Sequence, residues 1–94
     1  MREKAVFRLG TGQNVTTSGT SAASTAFGAQ TYEIRVAVTE AAYVRVGDGT
    51  PTAVTGDTLM AAGGVEYFRV SPGQKIAAIQ VSTGGIMNVT ELTY

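Results

Sequence analysis

The chain has 94 residues, with seven basic and seven acidic side chains, so its formal net charge is zero. It contains no His and no Cys, which removes the usual general base, the soft-metal ligand and the thiol nucleophile, and leaves no disulfide to staple the fold. A single domain of this size buries roughly 60–65% of its unfolded surface, and small unstapled cores often gain stability by oligomerising.

The basic residues are dispersed. Arg35, Arg45 and Arg69 fall in three different predicted strands, and the one grouping, Arg2, Lys4 and Arg8, has Glu3 within it. Nucleic-acid binders need clustered positive charge to neutralise phosphates, so no nucleic-acid partner is expected. No apolar run approaches the ~20 residues of a membrane helix. The charged N-terminus is not followed by an apolar leader core, so no secretory signal is read and the protein is expected to stay in the compartment where it is made.

In chain order, Ala5, Phe7 and Leu9 alternate with Lys4, Val6 and Arg8. This predicts a first short strand ending at Gly10-Thr11-Gly12, so that residues 1–12 form an N-terminal strand or arm and 13–94 the main domain. Gln13 to Gln30 is dominated by Ser, Thr, Ala and Gly. Composition alone suits a linker, whereas Thr, Val and the apolar Phe27 suit one or two polar strands. Tyr32–Val38 is the clearest strand: Tyr32, Ile34, Val36 and Val38 share one face and Glu33 and Arg35 the other.

Thr39-Glu40-Ala41 then connects to Ala42–Val46, with Ala42, Val44 and Val46 inward and Tyr43 and Arg45 outward. The pair reads as a β-hairpin. Gly47-Asp48-Gly49-Thr50-Pro51 is a stop signal, and Thr58-Leu59-Met60 is a short apolar segment. In Val65–Val70, Val65 and Tyr67 lie on one parity and Phe68 and Val70 on the other, which a bulge near Tyr67 would reconcile. Ser71-Pro72-Gly73-Gln74 has Pro where a type I or II turn wants it. Lys75–Ser82 and Ile86–Thr93 complete the pattern. No window has 3.6-residue periodicity. The expectation is an all-β fold: one antiparallel β-sandwich or jelly-roll-like domain of seven or eight short strands.

Candidate chemistry is sparse. Gly10-Thr11-Gly12 and Gly47-Asp48-Gly49 lack the following helix that a phosphate loop needs. Asp48 and Asp57 supply too few oxygens for a calcium loop and suit turns. Glu33, Glu66 and Glu91 are placed on outward strand faces beside Arg35, Arg45 and Arg69, where cross-strand pairing accounts for them. With no His, a hydrolytic triad is excluded. Asn14-Val15-Thr16 and Asn88-Val89-Thr90 fit the glycosylation sequon, and without a leader they read as strand composition. Outward Tyr43 and Tyr67 offer a sugar-stacking platform, although carbohydrate modules more often use Trp, which is absent; protein contact or ordinary packing is favoured. The expectation is a non-enzymatic protein with no cofactor, no metal and no small-molecule substrate.

Three stretches carry a resemblance: Thr25-Ala26-Phe27-Gly28-Ala29-Gln30-Thr31-Tyr32 leading into Ile34-Arg35-Val36, then Ala62 through Ile79 with its Ser71-Pro72-Gly73-Gln74 turn, and the closing Asn88-Val89-Thr90-Glu91-Leu92-Thr93. In that order they resemble small virion proteins of tailed bacteriophages, especially head decoration (cement) proteins with β-sandwich or jelly-roll folds. The resemblance covers roughly residues 20–94 and carries no active site. It implies a structural protein of the capsid exterior, made in the host bacterial cytoplasm, that bridges subunits of the major capsid protein and associates with itself, with a trimer favoured. Contact residues expected from the charged and aromatic positions are Arg2, Lys4, Phe7, Arg8, Tyr43, Arg45 and Tyr67. A receptor- or carbohydrate-binding domain of a tail fibre is the alternative.

Overall fold

A computed structural model describes residues 7–93. Eight strands follow in order: β1 (Arg8–Thr16), β2 (Ala22–Ala23), β3 (Glu33–Val38), β4 (Ala42–Gly47), β5 (Thr58–Met60), β6 (Val65–Arg69), β7 (Lys75–Gln80) and β8 (Ile86–Thr93). They form two four-stranded antiparallel sheets, ordered β1-β8-β3-β6 and β2-β7-β4-β5. The pairs β1–β8, β2–β7, β3–β6 and β4–β5 are nested. The chain is thus one long hairpin, its tip the loop between β4 and β5, rolled so that successive segments fall in opposite sheets. This is a jelly-roll sandwich, and the all-β expectation stands. No helix among the described residues is long and apolar enough to cross a membrane.

Alternation builds the core. Ile34, Val36 and Val38 of β3, Met87 and Val89 of β8 and Val15 of β1 project from the first sheet, and they meet Ala42, Val44, Met60, Ile76 and Ala78 of the second. Ile34, Val36, Ile76, Met87 and Val89 are wholly buried, each burial contributing about 1.5–3 kcal/mol. Three tight turns place a glycine of positive φ third in a four-residue turn closed by an i to i+3 bond. They are Val54–Asp57 with Gly56, Ala61–Gly64 with Gly63, and Ser71–Gln74 with Gly73. These are type II turns, whose third position only glycine occupies without strain.

Five readings of the sequence need correction. β3 and β4 are not a hairpin, because both edges of β3 are taken by β6 and β8, while β4 pairs with β5 and β7. Thr39–Ala41 instead arches from one sheet to the other, with Thr39 bonded to Ile86 and Ala41 to Val81. Both strands still point Ile34/Val36/Val38 and Ala42/Val44 at the core, so a hairpin and an arch share one apolar pattern. β1 does not stop at Gly10-Thr11-Gly12 but shifts register there and continues to Thr16. A Cβ on Gly10 would sit 3.1 Å from the Glu91 carbonyl oxygen, so glycine lets this bulged backbone lie against β8.

Tyr32 precedes β3 and is exposed, not part of the buried stripe. β6 has no bulge: its register against β3 is unbroken from Arg69–Glu33 to Val65–Ala37. As an edge strand it simply leaves Val65 and Tyr67 outward. Glu91 faces inward opposite Ile34 and is buried, not outward, and Glu66, opposite Val36, is likewise on the core-facing side of its strand although exposed at the sheet edge.

The Ser/Thr/Ala/Gly tract is ordered by hydrogen bonds. Its first part is the end of β1, and its middle contains β2. Beyond β2 the segment stays zipped to β7 and the preceding turn, through Ser24 N to Ile76 O (2.8 Å), Phe27 N to Gln74 O (2.8 Å) and Gly73 N to Phe27 O (3.0 Å). The Ser24 hydroxyl also accepts from Ile76 N (3.0 Å). Backbone pairing with a well-packed strand supplies what the small side chains lack in apolar area.

Candidate interaction surface

The outer faces of the two sheets follow from the registers. On the β2-β7-β4-β5 sheet, Leu59, Tyr43 and Ile79 stand directly side by side across β5, β4 and β7. Leu59 is 58% exposed and Tyr43 and Ile79 half-buried, giving an apolar row on a rigid face. The far end of this face is covered by the loop between β4 and β5. Ala53 is buried there, its amide donating to Ser21 Oγ (2.8 Å), and Lys75 Nζ donates to Thr50 Oγ1 (3.1 Å).

On the opposite sheet, Tyr67, Arg35, Thr90 and Gly12 form one outer row, and Val65, Ala37, Asn88 and Asn14 the next. Asn88 Nδ2 donates to Asn14 Oδ1 at 2.9 Å, so the asparagines of the two sequon-like tripeptides lie together.

Arg45, on β4, is engaged by the loop that follows its strand. Its Nε and Nη2 donate to Asp57 Oδ2 and Oδ1 at 3.1 and 2.8 Å, a bidentate pair, and Val54 N donates to the same carboxylate at 2.9 Å. The hydrogen bond to Asp57 raises the Arg45 pKa, and the bonds from Arg45 and Val54 lower that of Asp57. Asp57, considered from sequence as a turn residue, is therefore the anchor of the long loop. A cleft of about 420 Å3 opens beside it between the sheets, where β5 begins at Thr58; Val44, Val46 and Phe68 line it with Arg45 and Arg69 at its rim.

A second polar node is internal. Glu91 Oε1 accepts from Gly28 N (3.2 Å) and from the Thr31 hydroxyl. This fastens the turn before β3 onto β8. Among the described residues, no group of three His, Cys, Asp or Glu side chains is arranged to hold a metal ion.

The sequence-derived contact residues do not form one patch. Arg2 and Lys4 lie outside the described residues. Phe7 is half-buried and Arg8 exposed at the start of β1. Tyr43 and Arg45 belong to one sheet and Tyr67 to the other, on opposite outer faces. A shared stacking platform of Tyr43 and Tyr67 is thereby ruled out. Leu59 and Ile79, which complete the row around Tyr43, were not singled out from sequence. The signal was present in β7, where Ile76-Ala77-Ala78-Ile79 is apolar on both parities, the pattern of a strand covered on both faces. No protein-family model, no curated protein and no solved structure matches the chain.

Proposed function

We propose that this protein is a structural component of a bacteriophage virion, a decoration protein that binds the outer surface of the head and bridges subunits of the major capsid protein as a homo-oligomer. The observation that carries the reading is the Leu59–Tyr43–Ile79 row: an apolar strip of three adjacent strands, backed by a packed core and flanked by the anchored β4–β5 loop. A rigid strip of this kind loses little conformational entropy on docking to a flat protein surface, and an aromatic residue at its centre suits a hot spot. Repetition does the rest, since each contact made by one oligomer raises the effective concentration of the next. The resemblance of residues 20–94 to head decoration proteins supports the same role.

Co-sedimentation with expanded phage heads tests it. The protein should pellet saturably, and Leu59→Glu should weaken binding by about tenfold or more, since it buries an unpaired charge at the strip. A protein that stays in the supernatant while scoring on a glycan array would overturn the reading in favour of a receptor-binding role.

A further inference from the structure

Four strands form the edges of the two sheets, and they are not equivalent. β2 has two residues, β5 three, and β6 five that include Glu66 and Arg69. β1 has nine, and from Leu9 to Tyr32 the chain carries neither a charge nor a proline. All its ladder bonds go to β8, and among the described residues no main-chain to main-chain hydrogen bond reaches its other edge, Thr25 N and the Thr25 hydroxyl donating instead to the Gln13 side-chain oxygen (2.9 and 3.2 Å). Sheet edges of monomeric proteins are normally shortened, charged, interrupted by proline or bulged, because a row of open amides and carbonyls invites another strand. The register shift between Leu9 and Gly12 protects the start of β1 but leaves Gly12–Thr16 regular.

We propose that the Gly12–Thr16 edge of β1 pairs with the same edge of a second copy of this chain. The pairing is antiparallel about a two-fold axis and joins two four-stranded sheets into one of eight. The segment is self-complementary in the sense such an axis requires. Centred on Asn14, it sets Gly12 opposite Thr16, Gln13 opposite Val15 and Asn14 opposite its own copy, and no like charges meet. The Asn14–Asn88 hydrogen bond on the outer face extends by symmetry into a row of four asparagine side chains. This contact stands independently of shell binding. It makes a dimer the unit in solution, in place of the trimer that shell geometry suggests.

The absence of cysteine gives a clean test on the purified full-length chain. Across an antiparallel pair, opposed Cβ atoms lie about 4.5–5.5 Å apart, close to the span of a disulfide. Asn14→Cys should therefore oxidise to a covalent dimer at least about tenfold faster than Tyr67→Cys, whose thiol sits on the far edge strand, because pairing raises the effective thiol concentration. In sedimentation velocity the parent should run as a dimer, Asn14→Lys and Asn14→Asp each as monomers, and their equimolar mixture as a dimer again. A parent that sediments as a monomer or a trimer overturns the proposal, as does equal oxidation of the two cysteine variants or failure of the mixture to re-associate. None of these readouts involves phage heads, so they fail separately from the shell-binding reading.

Discussion

Thr31→Val probes the internal polar node that ties the two halves of the first sheet together. Glu91 sits on β8 with only 9% of its surface exposed, facing inward opposite Ile34. Its Oε1 accepts from the Thr31 hydroxyl and from Gly28 N. Valine matches threonine in shape but has no hydroxyl, so the carboxylate keeps one donor and loses the other inside the fold. Hydrogen bonds to charged groups contribute about 1.5–3 kcal/mol net, and a domain of this length shifts by about 4–8 °C per kcal/mol. Thr31→Val should therefore lower Tm by roughly 6–24 °C in thermal unfolding followed by circular dichroism. Thr31→Ser, which keeps the donor and loses one methyl, should cost about 1 kcal/mol or less. A Thr31→Val protein within about 0.5 kcal/mol of the parent would show that Glu91 finds water instead, and the node would have no structural role.

Other outcomes follow from single features. A Cβ on Gly84 would stand 2.6 Å from the Thr17 carbonyl oxygen, whereas one on Gly19 meets nothing closer than 3.9 Å; Gly84→Ala should cost about 1–3 kcal/mol in urea unfolding and Gly19→Ala much less. Asp57 has its pKa lowered by the Arg45 and Val54 hydrogen bonds, so its contribution is full above the ordinary carboxylate pKa of about 3.9 and is lost as pH falls through the depressed folded value. The stability gap between parent and Asp57→Asn should accordingly be constant near neutrality and shrink below about pH 4; a gap that widens on acidification would contradict the pairing. Met87→Ala removes a wholly buried side chain from the sandwich centre and should cost about 2–5 kcal/mol. Deleting residues 1–9 removes Arg2, Lys4, Phe7 and Arg8, four of the contact residues expected from the sequence, but leaves the regular Gly12–Thr16 pairing, so the deletion variant should fold and bind heads more weakly; unchanged occupancy on heads would count against those four contacts.

Much of this fold is written locally. Alternation in Glu33–Val38 and Ala42–Val46 names the inward side chains, and glycines at 56, 63 and 73 mark turns whose third residue has positive φ. What local pattern does not carry is partnership. An apolar stripe on β3 followed by another on β4 fits a hairpin as well as an arch, and the choice is made by β6 and β8, which come much later in the chain. The same non-locality hid Glu91, whose inward side chain is acceptable only because Gly28 and Thr31 arrive to satisfy it. Edge position explains the misread bulge in β6: outward Val65 and Tyr67 break the polar alternation without breaking the register. The candidate surface was half legible. Tyr43 and Arg45 were correctly placed outward, but the row through Leu59 and Ile79 exists only in the register of three strands.

The most direct measurement is electron microscopy of phage heads prepared with and without this protein. Decorated heads should carry added density that repeats over the outer surface and bridges neighbouring capsid subunits. Heads that look identical in the two preparations, or density confined to the tail, would contradict the decoration role.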